Sequence, residues 1–282
     1  MSWDILHDEF MKNAAAAALL AGIACPLIGV LVVTMRLSFI GVCISHAAFA
    51  GALAGLAFGG NPTLTALIGS LIAATALGPI ADKGDFTPDT AMGIVFSSSL
   101  GASFLLLSLI PGPKTEALGF LWGNVLTVTR GNIYLLAGVA ALVTLLIAIF
   151  FREIQGVIFN RELALASGIP ATAIFYGLLI CSGLSITASL NAIGGMLVFS
   201  LIINPAAAAY QLTYDLKKMF VLAAGFGILS GWAGLAFSTV LNLPTGAVII
   251  LTSSAIFLIA ALFSPKKRRF RPEYELESSN TN

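Results

Sequence analysis

Residues 14–34 read AAAAALLAGIACPLIGVLVVT, twenty-one positions without one charge. A helix needs about 20 predominantly apolar residues to cross the hydrocarbon core of a bilayer. Comparable runs follow at 38–58, 62–81, 90–110, 132–151, 171–189, 192–210, 219–240 and 244–263. Lipid gives the backbone no hydrogen-bond partner, so a span must be a helix or part of a closed barrel. The roughly ten-residue alternation of a barrel strand is absent. The sequence therefore predicts an all-α, polytopic transmembrane helical bundle of about nine spans.

Composition agrees. Of 282 residues, 58% are hydrophobic and 10% charged, against about 25% charged in an ordinary soluble domain. That deficit excludes a typical cytosolic enzyme, a nucleic-acid binder and a disordered chain. Fourteen basic and thirteen acidic residues leave a net charge of +1. Position, not bulk field, then carries the information. Arg36, Asn61-Pro62, Asp82-Lys83-Gly84-Asp85, Pro111-Gly112-Pro113, Arg152-Glu153, Asn191, Lys217-Lys218 and Leu243-Pro244 fall between the runs, as turn formers and charges should.

Lysine and arginine set the orientation. With the N-terminus outside and nine spans, the inside holds Arg36, Lys83, Arg152, Arg161, Lys217, Lys218, Lys266, Lys267, Arg268, Arg269 and Arg271. The outside keeps Lys12, Lys114 and Arg130. The expected arrangement is N-terminus out and C-terminus cytoplasmic, with 171–210 read as two spans. Residues 1–265 form a single transmembrane domain and 266–282 a polar cytoplasmic tail. No cleaved signal is read at the acidic N-terminus.

Two stretches do not span. In 111–131, Ala117–Gly123 is apolar but short, and should lie at the interface or re-enter, with Trp122 as an interfacial anchor. The cytoplasmic connection at 152–170 should hold a short helix over Glu162–Ala166, which Gly168 can end before Pro170. At the start of the fourth span, Thr87-Pro88-Asp89-Thr90 reads as cap, first-turn proline and first-turn acid.

Ionisable groups inside spans are functional candidates by default. His46 is the clearest, about nine residues into the second span. Cys43 lies three residues before it, and Ser45 beside it. A neutral imidazole with a thiol can ligate a borderline or soft divalent metal, although other spans would have to complete the coordination sphere. The alternatives are a histidine bonded to a neighbouring helix and a cysteine acting as a small hydrophobe. Asn204-Pro205 is a pathway candidate or a kink, the kink being the plainer reading. Asn191 suits the turn between spans six and seven. Gly51-x-x-x-Gly55 and Gly227-x-x-x-Gly231 fit close helix contact. His7 among Asp4, Asp8 and Glu9 reads as a solvated chain end.

Enzyme signatures are missing. There is no GxxxxGK[ST] phosphate loop, HExxH or GxSxG. Cys25, Cys43 and Cys181 are far apart, so no disulfide framework or zinc knuckle is indicated.

Arg36–Ala47 (RLSFIGVCISHA), Asp89–Ser97 (DTAMGIVFS), Phe159–Pro170 (FNRELALASGIP), Gly194–Val198, Asn204–Ala208 and Pro244-Thr-Gly246 run in the order seen in one family. Together they resemble the manganese/zinc/iron ABC-transporter permeases, over about residues 10–265. The resemblance implies a fold like that of vitamin B12/siderophore-type importer permeases and a permease subunit that itself binds no cofactor. It implies a homodimer or heterodimer, two cytoplasmic ATPase subunits that use the ATP, and an extracytoplasmic metal-binding protein. The site would be the cell membrane of a prokaryote. Glu162, Leu163, Ala164 and Gly168 would fall on the segment that couples to the ATPase. One position departs: where the family carries Asp four residues before the histidine, this chain has Val42. Either His46 works with Cys43, toward zinc-like chemistry, or the chain moves another substrate. A siderophore or cobalamin permease is the alternative reading. A secondary transporter would need more intramembrane charge, and an intramembrane enzyme would need convergent acid–base groups.

Overall fold

The structure, a computed structural model, describes residues 9–37, 39–83, 87–111, 114–122 and 128–266. Among these lie α1 (Glu9–Thr34), α2 (Ile40–Ala57), α3 (Pro62–Lys83), α4 (Pro88–Leu109), α5 (Thr115–Trp122), α6 (Arg130–Ile149), α7 (Phe151–Phe159), α8 (Arg161–Ala166), α9 (Ala171–Ile193), α10 (Gly195–Leu212), α11 (Leu216–Leu241) and α12 (Thr245–Leu262). By length and composition, α1, α2, α4, α6, α9, α10, α11 and α12 can each cross a membrane. The other expected span falls on α3, whose apolar portion, Pro62–Leu77, is shorter. The readings for His7 and for the tail beyond Lys266 lie outside the described residues.

Helix starts follow local chemistry. Thr87 accepts from the Thr90 amide at 3.3 Å, with Pro88 in the first turn, as the sequence predicts. Asn61, Thr129, Asn160 and Asp215 cap α3, α6, α8 and α11 in the same way. Each satisfies amides that the helix cannot pair internally. α1 ends on Arg36, which takes a left-handed φ of 59°. There the Leu37 amide reaches the Val32 carbonyl at 2.9 Å and the Arg36 amide reaches Val33 at 3.2 Å, the bond pattern of a Schellman cap.

The central post is α1, with 72% of its apolar window buried, whereas α4 has 11% buried. α1 packs against α6, α9, α10 and α11, and α2 packs against α3, α4 and α9. Small residues permit this closeness. A Cβ on Gly29 would stand 1.8 Å from the Ile202 carbonyl oxygen, and one on Gly227 2.2 Å from that of Gly22. Gly51 and Gly55 likewise abut Thr65, at 2.3 Å each. Both GxxxG stretches therefore sit at helix contacts. Polar ties cross the bundle as well. Thr187 donates to Ser70 at 2.9 Å, and the Trp232 indole donates to the Ala15 carbonyl at 3.1 Å.

Two boundaries differ from the sequence reading. The turn between the sixth and seventh runs is Gly194, not Asn191, which lies in the last turn of α9. Gly194 has φ 88° and ψ 153°, a region that only glycine occupies at low cost. The connection after α6 begins with α7, which buries Ile154 and Val157 on one face. Its charged start, Arg152-Glu153, hid that helix. The short apolar piece at 115–122 is α5, which packs against α2, α9 and α10.

Candidate functional site

His46 lies in the middle of α2, partly exposed. Phe96 of α4 meets its ring edge-on, centroids 4.9 Å apart at 88°, and Phe39 meets Phe96 at 5.4 Å. The Nδ1 atom of His46 is buried and has no hydrogen-bond partner among the described residues. Buried polar atoms are normally satisfied, so an unpartnered nitrogen here is an exception. Val42, one turn earlier, is also partly open, so positions 42 and 46 share a face. Cys43 is turned away, at 0% exposure within the main core. Ser45 donates back to the Val42 carbonyl at 2.9 Å. The sequence reading paired Cys43 with His46 on spacing; the structure places the thiol in the core and the imidazole toward α4. Phe96, although inside the Asp89–Ser97 stretch, is not singled out by the sequence.

On α4, Ser97 and Ser98 are exposed. Among the described residues no three of His, Cys, Asp or Glu cluster as a metal site. Among the described residues the chain thus offers one partly exposed imidazole, met edge-on by Phe96.

Asn204 lies deeper, between α10 and α12. Its amide nitrogen is within 3.1 Å of Ser200, 3.0 Å of Ser253 and 3.0 Å of Ser254, and Ser200 meets Ser253 at 2.8 Å. The amide is thereby committed to an interhelical clamp. Pro205 is buried inside α10; it lacks the N–H that would bond to the preceding turn.

α8 is well defined despite its length. Asn160 accepts from the Glu162 amide at 2.9 Å and the Leu163 amide at 3.0 Å. At its other end Gly168 has φ 81°, and the amides of Gly168 and Ile169 reach the carbonyls of Leu165 and Ala164, each at 3.0 Å. This is a Schellman cap. Ala164 is buried, clustered with Val157 and Ala171. Glu162 and Gly168 are exposed, and Leu163 and Leu165 stand out at 57% and 48%, beside Phe159 at 85%. Of the four sequence-chosen residues, three face outward and Ala164 anchors the helix. Phe159 and Leu165 join the outward set, which spacing alone did not reveal. Nearby, the Lys266 ammonium sits over the rings of Tyr210 and Tyr214, 3.6 and 4.4 Å from their centroids, and burial pushes it below the usual lysine range.

Comparison with known proteins gives a consistent result. The family model described as the ABC 3 transport family matches residues 7–264. A manganese transport system membrane protein of Halalkalibacterium halodurans is 34% identical over 93% of this chain and 90% of its own. A manganese import system permease protein of Streptococcus gordonii is 32% identical over 93% of this chain and 95% of its own. A solved structure of PsaBC from Streptococcus pneumoniae in complex with Fab superposes with a TM-score of 0.84 at 30% identity, covering 94% of this chain and 95% of that one. On these matches over nearly its whole length, the chain is a member of the ABC 3 transport family.

Proposed function

We propose that this chain is the membrane-spanning permease subunit of an ATP-binding-cassette importer for a divalent transition-metal ion. The observation that carries the site assignment is the unpartnered, buried Nδ1 of His46 on a partly open helix face. A neutral imidazole is a common ligand for such ions. Manganese, zinc and iron all accept such a ligand, and relatives named for manganese make that ion the first candidate. Val42 removes the hard oxygen ligand one turn away, which weighs toward a softer, zinc-like ion. The rest of the coordination sphere is assigned to a second permease copy covering the α2–α4 face, with Cys43 as a reserve ligand reachable only if α2 shifts.

Two cytoplasmic ATPase subunits would seat Glu162, Leu163, Gly168, Phe159 and Leu165 in a groove. ATP is used there, not by this chain. Ala164 would transmit the push to α7 and α9 through its buried contacts, and Gly194 and Pro205 are places where the spans can bend. An extracytoplasmic binding protein would deliver the metal. α3 is taken as the ninth span, with the N-terminus outside and the cytoplasmic end at α8, in a prokaryotic cell membrane.

The test is uptake of manganese, zinc and iron by cells expressing the chain with its ATPase and binding protein. ATP-dependent accumulation of one metal by wild type, lost in His46→Ala at equal protein level, is the expected result. Equal accumulation by both overturns the His46 assignment. No accumulation of any metal overturns the substrate class.

A further inference from the structure

Between α1, α6 and α11 runs an open groove of about 830 Å³. Its walls are apolar, with Ile23 and Leu27 from α1, Ile147 from α6, and Phe220 and Ile228 from α11. The hydroxyl of Thr144 in the wall is already used, donating to Ala140 at 2.7 Å. At one end the character changes. Arg152 and Lys217 line the groove together there, where α6 has just ended and α11 begins. Lys217 lies 5.4 Å over the Phe151 ring. Among the described residues neither cation is in an ion pair with a carboxylate. Asp215 is occupied in capping α11 through the amides of Lys217 and Lys218, and Glu153 does not line the groove.

The dimensions match a lipid tail. From Lys217 to Ile228 the wall runs about 16 Å at 1.5 Å per residue, close to one leaflet of a roughly 30 Å hydrocarbon core. The wall is open at Gly225, where a Cβ would meet nothing within 4 Å. In a bilayer such a groove fills with acyl chain. A zwitterionic headgroup would leave two cations without a net counter-charge at the interface. Basic sites between helices on the cytoplasmic side favour anionic headgroups.

We propose that this groove holds an acyl chain of an anionic phospholipid of the cytoplasmic leaflet, with Arg152 and Lys217 taking its phosphate. The leaflet rests on the orientation given under the proposed function; the groove and its cations do not. The lipid would bridge α6, α7 and α11 at the end of the bundle nearest α8.

The test uses the full permease purified with its ATPase partner and delipidated in mild detergent. Phosphatidylglycerol and phosphatidylcholine are titrated separately, and bound lipid is read by native mass spectrometry. Wild type should hold phosphatidylglycerol in preference to phosphatidylcholine. Arg152→Gln with Lys217→Gln should weaken phosphatidylglycerol about thirtyfold and leave phosphatidylcholine unchanged. Gly225→Leu should reduce occupancy by both lipids while eluting as a single species of wild-type size. Wild-type phosphatidylglycerol binding by the double variant overturns the phosphate assignment, and undiminished binding by a folded Gly225→Leu overturns the groove. Metal uptake is a separate readout, so the transport reading and the lipid site can fail independently.

Discussion

Gly29→Ala is the most direct probe of how α1 is seated. The added Cβ would lie 1.8 Å from the Ile202 carbonyl oxygen and 2.9 Å from the Ala206 Cβ. An ordinary carbon–oxygen contact is about 3.3 Å, so α1 and α10 must part by about 1.5 Å. Backbone, not a flexible side-chain tip, stands in the way, and overpacking of this kind costs about 1–3 kcal/mol or more. Alanine returns about 1 kcal/mol of helix propensity. The net effect is a loss of about 2 kcal/mol if the overlap lands at the upper end of that range. Gly138→Ala on α6 is the matched control, because a Cβ there meets nothing within 4 Å; it gains propensity without overlap. Cys25, Cys43 and Cys181 are free and buried, so a thiol-reactive dye reports unfolding of the purified protein on heating. Gly29→Ala should melt several degrees below wild type, with Gly138→Ala at or above it. Equal melting of Gly29→Ala and Gly138→Ala would refute the close approach of α1 to α10.

Arg36→Gly should stabilise the chain by about 1 kcal/mol, because a left-handed φ is costly for a residue with a Cβ; an unchanged melt in the same dye assay counts against the strained turn. Val42→Asp restores an oxygen ligand one turn before His46 and should shift uptake toward manganese relative to zinc. An unaltered metal profile at equal protein level means position 42 does not face the ion. Leu163→Asp places a charge on the outward face of α8; ATPase co-purification and metal uptake should fall together while the melt stays near wild type. Leu165→Cys in α8, in the chain expressed without its ATPase, should react with a membrane-impermeant thiol reagent only after the cells are opened, since the native cysteines are buried. Labelling of intact cells would reverse the orientation.

Much of the architecture is legible in the sequence. Eight of the nine apolar runs coincide with helices able to cross a membrane, and the ninth with α3. The Thr87-Pro88 cap, the helix over Glu162–Ala166 and the stop at Gly168 also fall where the residues place them. These are local matters: an amide needing an acceptor, or a φ that one residue type tolerates. Misreadings came where two residue types could do the same local job. Asn191 and Gly194 are both turn formers, and only the backbone path between α9 and α10 picks the glycine. α7 opens with charges, so it read as connection until Ile154 and Val157 were seen buried.

The candidate site divides in the same way. An imidazole amid an apolar span is conspicuous in the sequence because lipid tolerates few polar groups. Its surroundings are not. Phe96 is fifty positions away, and whether Cys43 joins His46 depends on how α2 is rotated against the core, which spacing of three leaves open. The groove with Arg152 and Lys217 is likewise invisible in sequence, since its walls come from α1, α6 and α11. From the residues alone it follows that the chain is a helical membrane bundle, roughly where each helix starts and stops, and that His46 is chemically exceptional. Burial of apolar length and satisfaction of the backbone are properties of each segment alone. Which faces meet, which polar atoms stay unpaired and which cations share an opening were decided only by the tertiary structure, because those are relations between segments that small residues such as Gly29 and Gly227 allow to approach.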